Sequence, residues 1–170
     1  EHYGIQVDYT TLFDSRDWRV MQHMQGLERG IEIAPGLMQA LTVLRDKGWR
    51  FAVVSNNSVG RCVAAMRFAE DGLGNDLLHF FGTALFEAGD VHKPHPDPYL
   101  RAMEQLRADP KECIIVEDSV TGAQSGRAAG VPVYGYTGLA ENPQEQQEKL
   151  MAAGCVACFD DWRLFPKLLA

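Results

Sequence analysis

From Pro35 onward, two hydrophobic periods alternate along the chain. Leu37, Ala40, Leu41 and Leu44 recur at helical spacing, which predicts a helix over 36–46 that Gly48 ends. The largely apolar run 49–54 reads as a strand. Asn57 or Ser58 is placed to cap a helix running through Val63, Met66 and Phe68 to Ala69. A strand is predicted over 82–86. Asp97 is placed to cap a helix over 98–107 with proline at its first position. There follow a strand over 113–117, a small-residue helix over 119–129, a strand over 131–136, a helix over 144–152, a strand over 155–159 and a last helix over 161–169. Strands alternating with helices of this length imply an α/β fold, a parallel sheet with helices on both faces.

Residues 1–33 break this rhythm. Trp18, Met21, Met24 and Leu27 recur at helical spacing, a packing stripe with no strand signal beside it. The chain therefore divides into a helical element over 1–33 and an α/β part over 34–170, joined near Glu32–Pro35.

Composition narrows the partners. The 170 residues carry 16 Lys and Arg against 23 Asp and Glu, a formal charge of −7. That balance argues against nucleic acid or an anionic membrane as main partner, since both reward clustered cations. There is neither an apolar run long enough to span a bilayer nor a secretory signal pattern, so a cytoplasmic location is the expectation. Cys62 and Cys113 fall within predicted elements and suit reduced core thiols. Cys155 and Cys158 form a C-x-x-C, but lie in a run that reads as a buried strand.

Three predicted strand ends carry chemistry. In Phe51-Ala-Val-Val-Ser-Asn-Asn-Ser58, a strand gives way to a hydroxyl, two amides and a helix start. Helix N-termini present free N–H groups to an anion, and Ser55 and Asn56 stand beside them. In His92-Lys-Pro-His-Pro-Asp-Pro-Tyr99, prolines stiffen the backbone around Lys93, a compact charge suited to a phosphoryl group. In Ile114-Ile-Val-Glu-Asp-Ser119, two carboxylates end an apolar strand. Glu117 and Asp118 there suit a hard divalent cation. Singly, each motif also has a plain reading as a helix cap or a solvated turn, strongest for Ser55 and weakest for the acid pair. In order, they supply oxygen-binding donors, a cation and a carboxylate-held metal, the parts phosphoryl transfer needs.

This ordered set resembles the haloacid dehalogenase superfamily over residues 32–170, and most of all its branch of β-phosphoglucomutases, phosphoglycolate phosphatases and sugar-phosphate phosphatases. The resemblance implies a Rossmann-like core and makes residues 1–33 the end of a helical cap domain. It implies that Ser55 and Lys93 bind the phosphoryl group, with Asn56 beside them. It also implies that Asp118 holds Mg²⁺ directly and that Glu117 supports the ion through water or a neighbour. The expected activity is Mg²⁺-dependent hydrolysis of a small phosphorylated metabolite, a sugar phosphate. A phosphomutase and a non-catalytic binding protein are the alternatives. The family's first motif, a strand ending in Asp-x-Asp-Gly, has no counterpart here. Val7-Asp-Tyr-Thr-Thr-Leu-Phe-Asp-Ser15 echoes part of it without the paired aspartate or the glycine, so the nucleophile is not carried onto Asp8. The resemblance thus implies that an N-terminal extension supplies the first strand, its aspartyl nucleophile and the rest of the cap. It further implies that this chain alone folds poorly and is inactive.

Overall fold

The computed structural model describes residues 30–69 and 73–169, together with residues 23 and 26. In chain order the elements are α1 (Leu37–Asp46), β1 (Val53–Ser55), α2 (Val59–Arg67), α3 (Gly74–Phe81), β2 (Leu85–Glu87), α4 (Asp97–Leu106), β3 (Ile115–Glu117), α5 (Val120–Ala128), β4 (Val133–Tyr136), α6 (Pro143–Ala152), β5 (Ala157–Phe159) and α7 (Phe165–Leu168). Ser58, Ser119 and Asn142 cap α2, α5 and α6, each accepting a backbone N–H from the first turn.

The expected parallel α/β architecture is present. Every strand pair is parallel, with Val54 opposite Phe86, Val116 opposite Tyr134, and Gly135 opposite Cys158. Side chains alternate across β3 and β4 as period two requires. Ile115 and Val133 pack with Met103, Ala123 and Leu150 on one face. Ile114, Val116, Tyr134 and Tyr136 pack with Phe159, Trp162 and Phe165 on the other. Phe159 stacks on Phe165 with ring centroids 4.7 Å apart.

One difference from the sequence expectation matters for function. The strands form two sheets, β1–β2 and β3–β4–β5. The Val53 N–H donates to Ala84 O at 2.9 Å, and the Ala88 N–H to Ser55 O at 2.8 Å. Val53 and Ser55 therefore face β2, and the backbone groups of Val54 face the opposite edge. The Ile115 N–H donates to Pro132 O at 2.9 Å, so the backbone groups of Val116 likewise face away from β4. Val54 and Val116 line one shared pocket. Neither of these edges pairs with another strand among the described residues.

Other boundaries moved for local reasons. The run 49–54 yields ladder pairing only from Val53, because Trp49 and Phe51 pack into apolar clusters with α1 and Phe80. Helix α3 had no counterpart in the sequence expectation; it buries Leu77 against Leu41 and Ala69. Asp97 does not cap α4. Pro96 already has helical angles and takes the cap position, and the Asp97 carboxylate turns to His95 Nδ1 at 3.3 Å. Most of the expected helical element over 1–33 lies outside the described residues. Ile31 forms an isolated parallel bridge to Ala69, its N–H donating to Phe68 O at 2.6 Å. Among the described residues, no helix is long and apolar enough to cross a membrane.

Candidate functional site

The three motifs distant in sequence meet at one pocket of about 420 Å³, lined by Ser55, Asn56, Lys93, Glu117 and Asp118 among others. Each arrives at the C-terminal end of a parallel strand or in the loop beyond it. That is where open α/β sheets leave a crevice for ligands.

Lys93 is the hub. It follows β2 on a loop whose Lys93–Pro94 bond is cis. Its Nζ donates to Val54 O at 2.8 Å and to the Tyr99 hydroxyl at 2.9 Å, and forms a close ion pair with Glu117 Oε1. Both side chains of that pair are 8% exposed, so the charges compensate each other in a poorly hydrated place. The loop itself is held from two sides. Asn56 Oδ1 accepts the Lys93 backbone N–H at 3.1 Å, and the fully buried Ser125 hydroxyl donates to His95 O at 2.6 Å.

The sequence-predicted residues thus come together with altered tasks. The Ser55 hydroxyl oxygen accepts the Asn57 N–H at 3.0 Å, leaving its own proton to donate to a ligand. Asn56, expected beside the phosphate, spends its carbonyl oxygen on Lys93. Glu117, expected to support the metal, has both oxygens engaged. Oε1 receives Lys93 and the Tyr99 hydroxyl at 2.5 Å, and Oε2 receives the Ser119 hydroxyl at 3.0 Å. Asp118 lines the pocket with an exposed side chain on which no donor rests among the described residues. Its backbone carbonyl accepts the Gln146 side-chain amide of α6 at 2.5 Å.

Three participants were not found from sequence. Tyr99 is 7% exposed. Burial foremost, and then the Glu117 charge, raise its pKa, so the phenol stays protonated as a donor. Ser125 gave no signal beyond its place in a small-residue helix. Gly122 gave the clearest signal, a glycine inside a predicted helix. A Cβ there would lie 2.0 Å from the Glu117 carboxylate, so only glycine lets α5 pass so close. Two more residues line the pocket, Tyr136 and Trp162, whose buried hydroxyl and Nε1 have no partner among the described residues.

A hard divalent cation takes about six or more oxygens. Among the described residues, no three of His, Cys, Asp and Glu converge to hold a metal. With Glu117 committed to Lys93, Tyr99 and Ser119, Asp118 is the available carboxylate. The described residues supply one corner of such a site and do not complete it.

Comparison with known proteins gives the family and the fold. The model of the haloacid dehalogenase-like hydrolases matches residues 4–130. Hexitol phosphatase A of Escherichia coli is 32% identical over 132 residues, covering 77% of this chain and 58% of that protein. Phosphoglycolate phosphatase of Nitrosospira multiformis is 36% identical over 109 residues, covering 60% of this chain and 44% of that protein. The chain therefore spans about half the length of these relatives. A conserved haloacid dehalogenase-like protein of unknown function from Agrobacterium tumefaciens shares the fold, with a TM-score of 0.75 at 24% identity over 99% of this chain and 72% of that one.

Proposed function

The chain belongs to the haloacid dehalogenase-like hydrolases, and from that premise we propose that its protein hydrolyses a small phosphate monoester, such as a sugar phosphate, with Mg²⁺. The observation that carries this reading is the meeting of Ser55, Lys93 and Asp118 around one pocket from three separate strand ends. The names of the two phosphatase relatives, one for a hexitol and one for phosphoglycolate, support a small substrate.

The residues divide the work by chemistry. Ser55 donates its free proton to a phosphoryl oxygen. Lys93 neutralises the phosphoryl group, held in place by Glu117. Asp118 is this chain's ligand to Mg²⁺, which supplies charge neutralisation on the phosphoryl oxygens when bound. Its remaining ligands, and the aspartate that takes the phosphoryl group as an aspartyl-phosphate, come from outside the described residues. Residues 1–33 end a helical cap, and a strand from outside the described residues lies between β1 and β3. The outer edges of β1 and β3, which face no strand among the described residues, support that placement, as do the Tyr136 hydroxyl and Trp162 Nε1, which have no partner among the described residues.

Phosphate release tests the reading. The protein expressed from its complete coding sequence, given a panel of sugar phosphates and phosphoglycolate, should release inorganic phosphate only with Mg²⁺. Asp118→Asn should abolish release without changing the melting temperature. Isomerisation of glucose 1-phosphate without release would replace the hydrolase by a mutase. Release undiminished in Asp118→Asn would remove Asp118 from the metal.

A further inference from the structure

An ammonium group has three protons to donate and nothing to accept with. In Lys93 all three have protein acceptors: Val54 O, the Tyr99 hydroxyl and Glu117 Oε1. Because Nζ cannot accept, the Tyr99 oxygen receives from lysine, and the phenol proton goes to Glu117 Oε1 at 2.5 Å. One hydroxyl therefore faces both charges of the buried pair. The Tyr99 ring also lies under the ammonium, its centroid 4.6 Å from Nζ, where the negative face of the ring attracts a cation.

The phenol is itself firmly held. Tyr99 sits in the first turn of α4, 7% exposed, packed among Met103, Ile115 and Ala123. A tyrosine has only two side-chain torsions, and the core fixes both. Lysine has four, and a lone lysine spends much of its binding strength on being ordered.

We propose that Tyr99 is a positioning residue, whose hydroxyl fixes the Lys93 ammonium and the Glu117 carboxylate against each other in the wall of the pocket. The inference rests on the reading of Lys93 as the cation for the phosphoryl group. It adds that a neutral hydroxyl sets where that charge stands, and that the same hydroxyl keeps Glu117 on the lysine.

The test reads the ammonium directly. In the protein expressed from its complete coding sequence, ¹H–¹⁵N spectra at low temperature should show a slowly exchanging Lys93 Nζ signal, assigned by its loss in Lys93→Arg. Tyr99→Phe keeps the ring and removes only the hydroxyl. It should speed exchange of that signal about tenfold, the effect of losing one hydrogen bond to a charged group, while the chain still melts cooperatively. A purely structural tyrosine would change the melt and leave the exchange alone. Unchanged exchange in Tyr99→Phe overturns the proposal, as does the absence of a slow Nζ signal in the unsubstituted chain. The unsubstituted chain offers a second readout that needs no variant. The Tyr99 hydroxyl proton should exchange slowly and show a nuclear Overhauser effect to the Lys93 Cε protons, and its absence overturns the proposal equally. Adding inorganic phosphate separates the parent reading. A Lys93 signal that is slow and Tyr99-dependent but indifferent to phosphate defeats Lys93 as the phosphoryl cation and leaves its placement by Tyr99 standing.

Discussion

Replacing Lys93 by methionine tests how far the buried ion pair holds the site together. Lys93 and Glu117 are each 8% exposed, so the variant leaves a carboxylate in a poorly hydrated place without its cation. Breaking a buried pair by removing one partner costs about 3–5 kcal/mol. Here the cost should lie at the low end, about 3 kcal/mol, because Tyr99 and Ser119 still donate to Glu117. At about 2–4 °C per kcal/mol for a domain of this size, the melting temperature should fall by about 6–12 °C. Scanning calorimetry at neutral pH measures it. The double variant Lys93→Met, Glu117→Gln separates lost charge balance from lost packing. The carboxamide keeps an acceptor for the Tyr99 hydroxyl and carries no charge, so most of the loss should return. A single variant that melts within about 2 °C of the parent refutes the reasoning. So does a double variant no more stable than the single, since packing alone would then account for the loss.

Two further perturbations use other parts of the structure. Gly122→Ala drives a methyl group into the Glu117 carboxylate and should cost about 1–3 kcal/mol by calorimetry, whereas Gly60→Ala, with only Ser58 Oγ near at 3.9 Å, should stabilise α2 by about 0.5–1 kcal/mol. Equal effects of the two substitutions would show that crowding at Glu117 is not what demands glycine. Burial, and then the neighbouring Cys158, push the Cys155 thiol up to about 11. The unfolded chain ionises this thiol at lower pH than the native one does, so it binds fewer protons and stability falls with rising pH between about 9 and 11. Melting temperatures across that window should decline, and Cys155→Ala should flatten the decline; an identical slope in the variant would clear Cys155 of the effect.

The sequence disclosed most of this site because its parts are local. Ser55, Lys93 and Asp118 each stand just past an apolar run, and parallel strands bring such ends to one side. What stayed hidden depends on contacts between distant segments. Nothing near Asn56 says that its side chain will hold the backbone of Lys93, or near Ser125 that it will tie down His95. Glu117 and Asp118 look equivalent as neighbours, and both line the pocket. Yet Glu117, the last residue of β3, is buried against Tyr99 and Lys93, whereas Asp118 just beyond it is exposed. The division into two sheets was equally hidden, because an apolar run shows that a strand is buried but not which neighbour pairs with it. Helix α3 was missed for a local reason. Its apolar residues crowd into Leu77–Phe81, too short a stretch to show a period.

On the proposed reading, Ser55 and Lys93 form a site for a phosphoryl group. Calorimetric titration of the protein expressed from its complete coding sequence with inorganic phosphate reads that site. One phosphate should bind saturably, weakened about tenfold or more by Ser55→Ala, which removes a hydrogen bond to a charged group, and by Lys93→Met, which removes the positive charge lining the pocket. Binding of equal strength in the parent and both variants would contradict it, and so would a parent chain that takes up no phosphate.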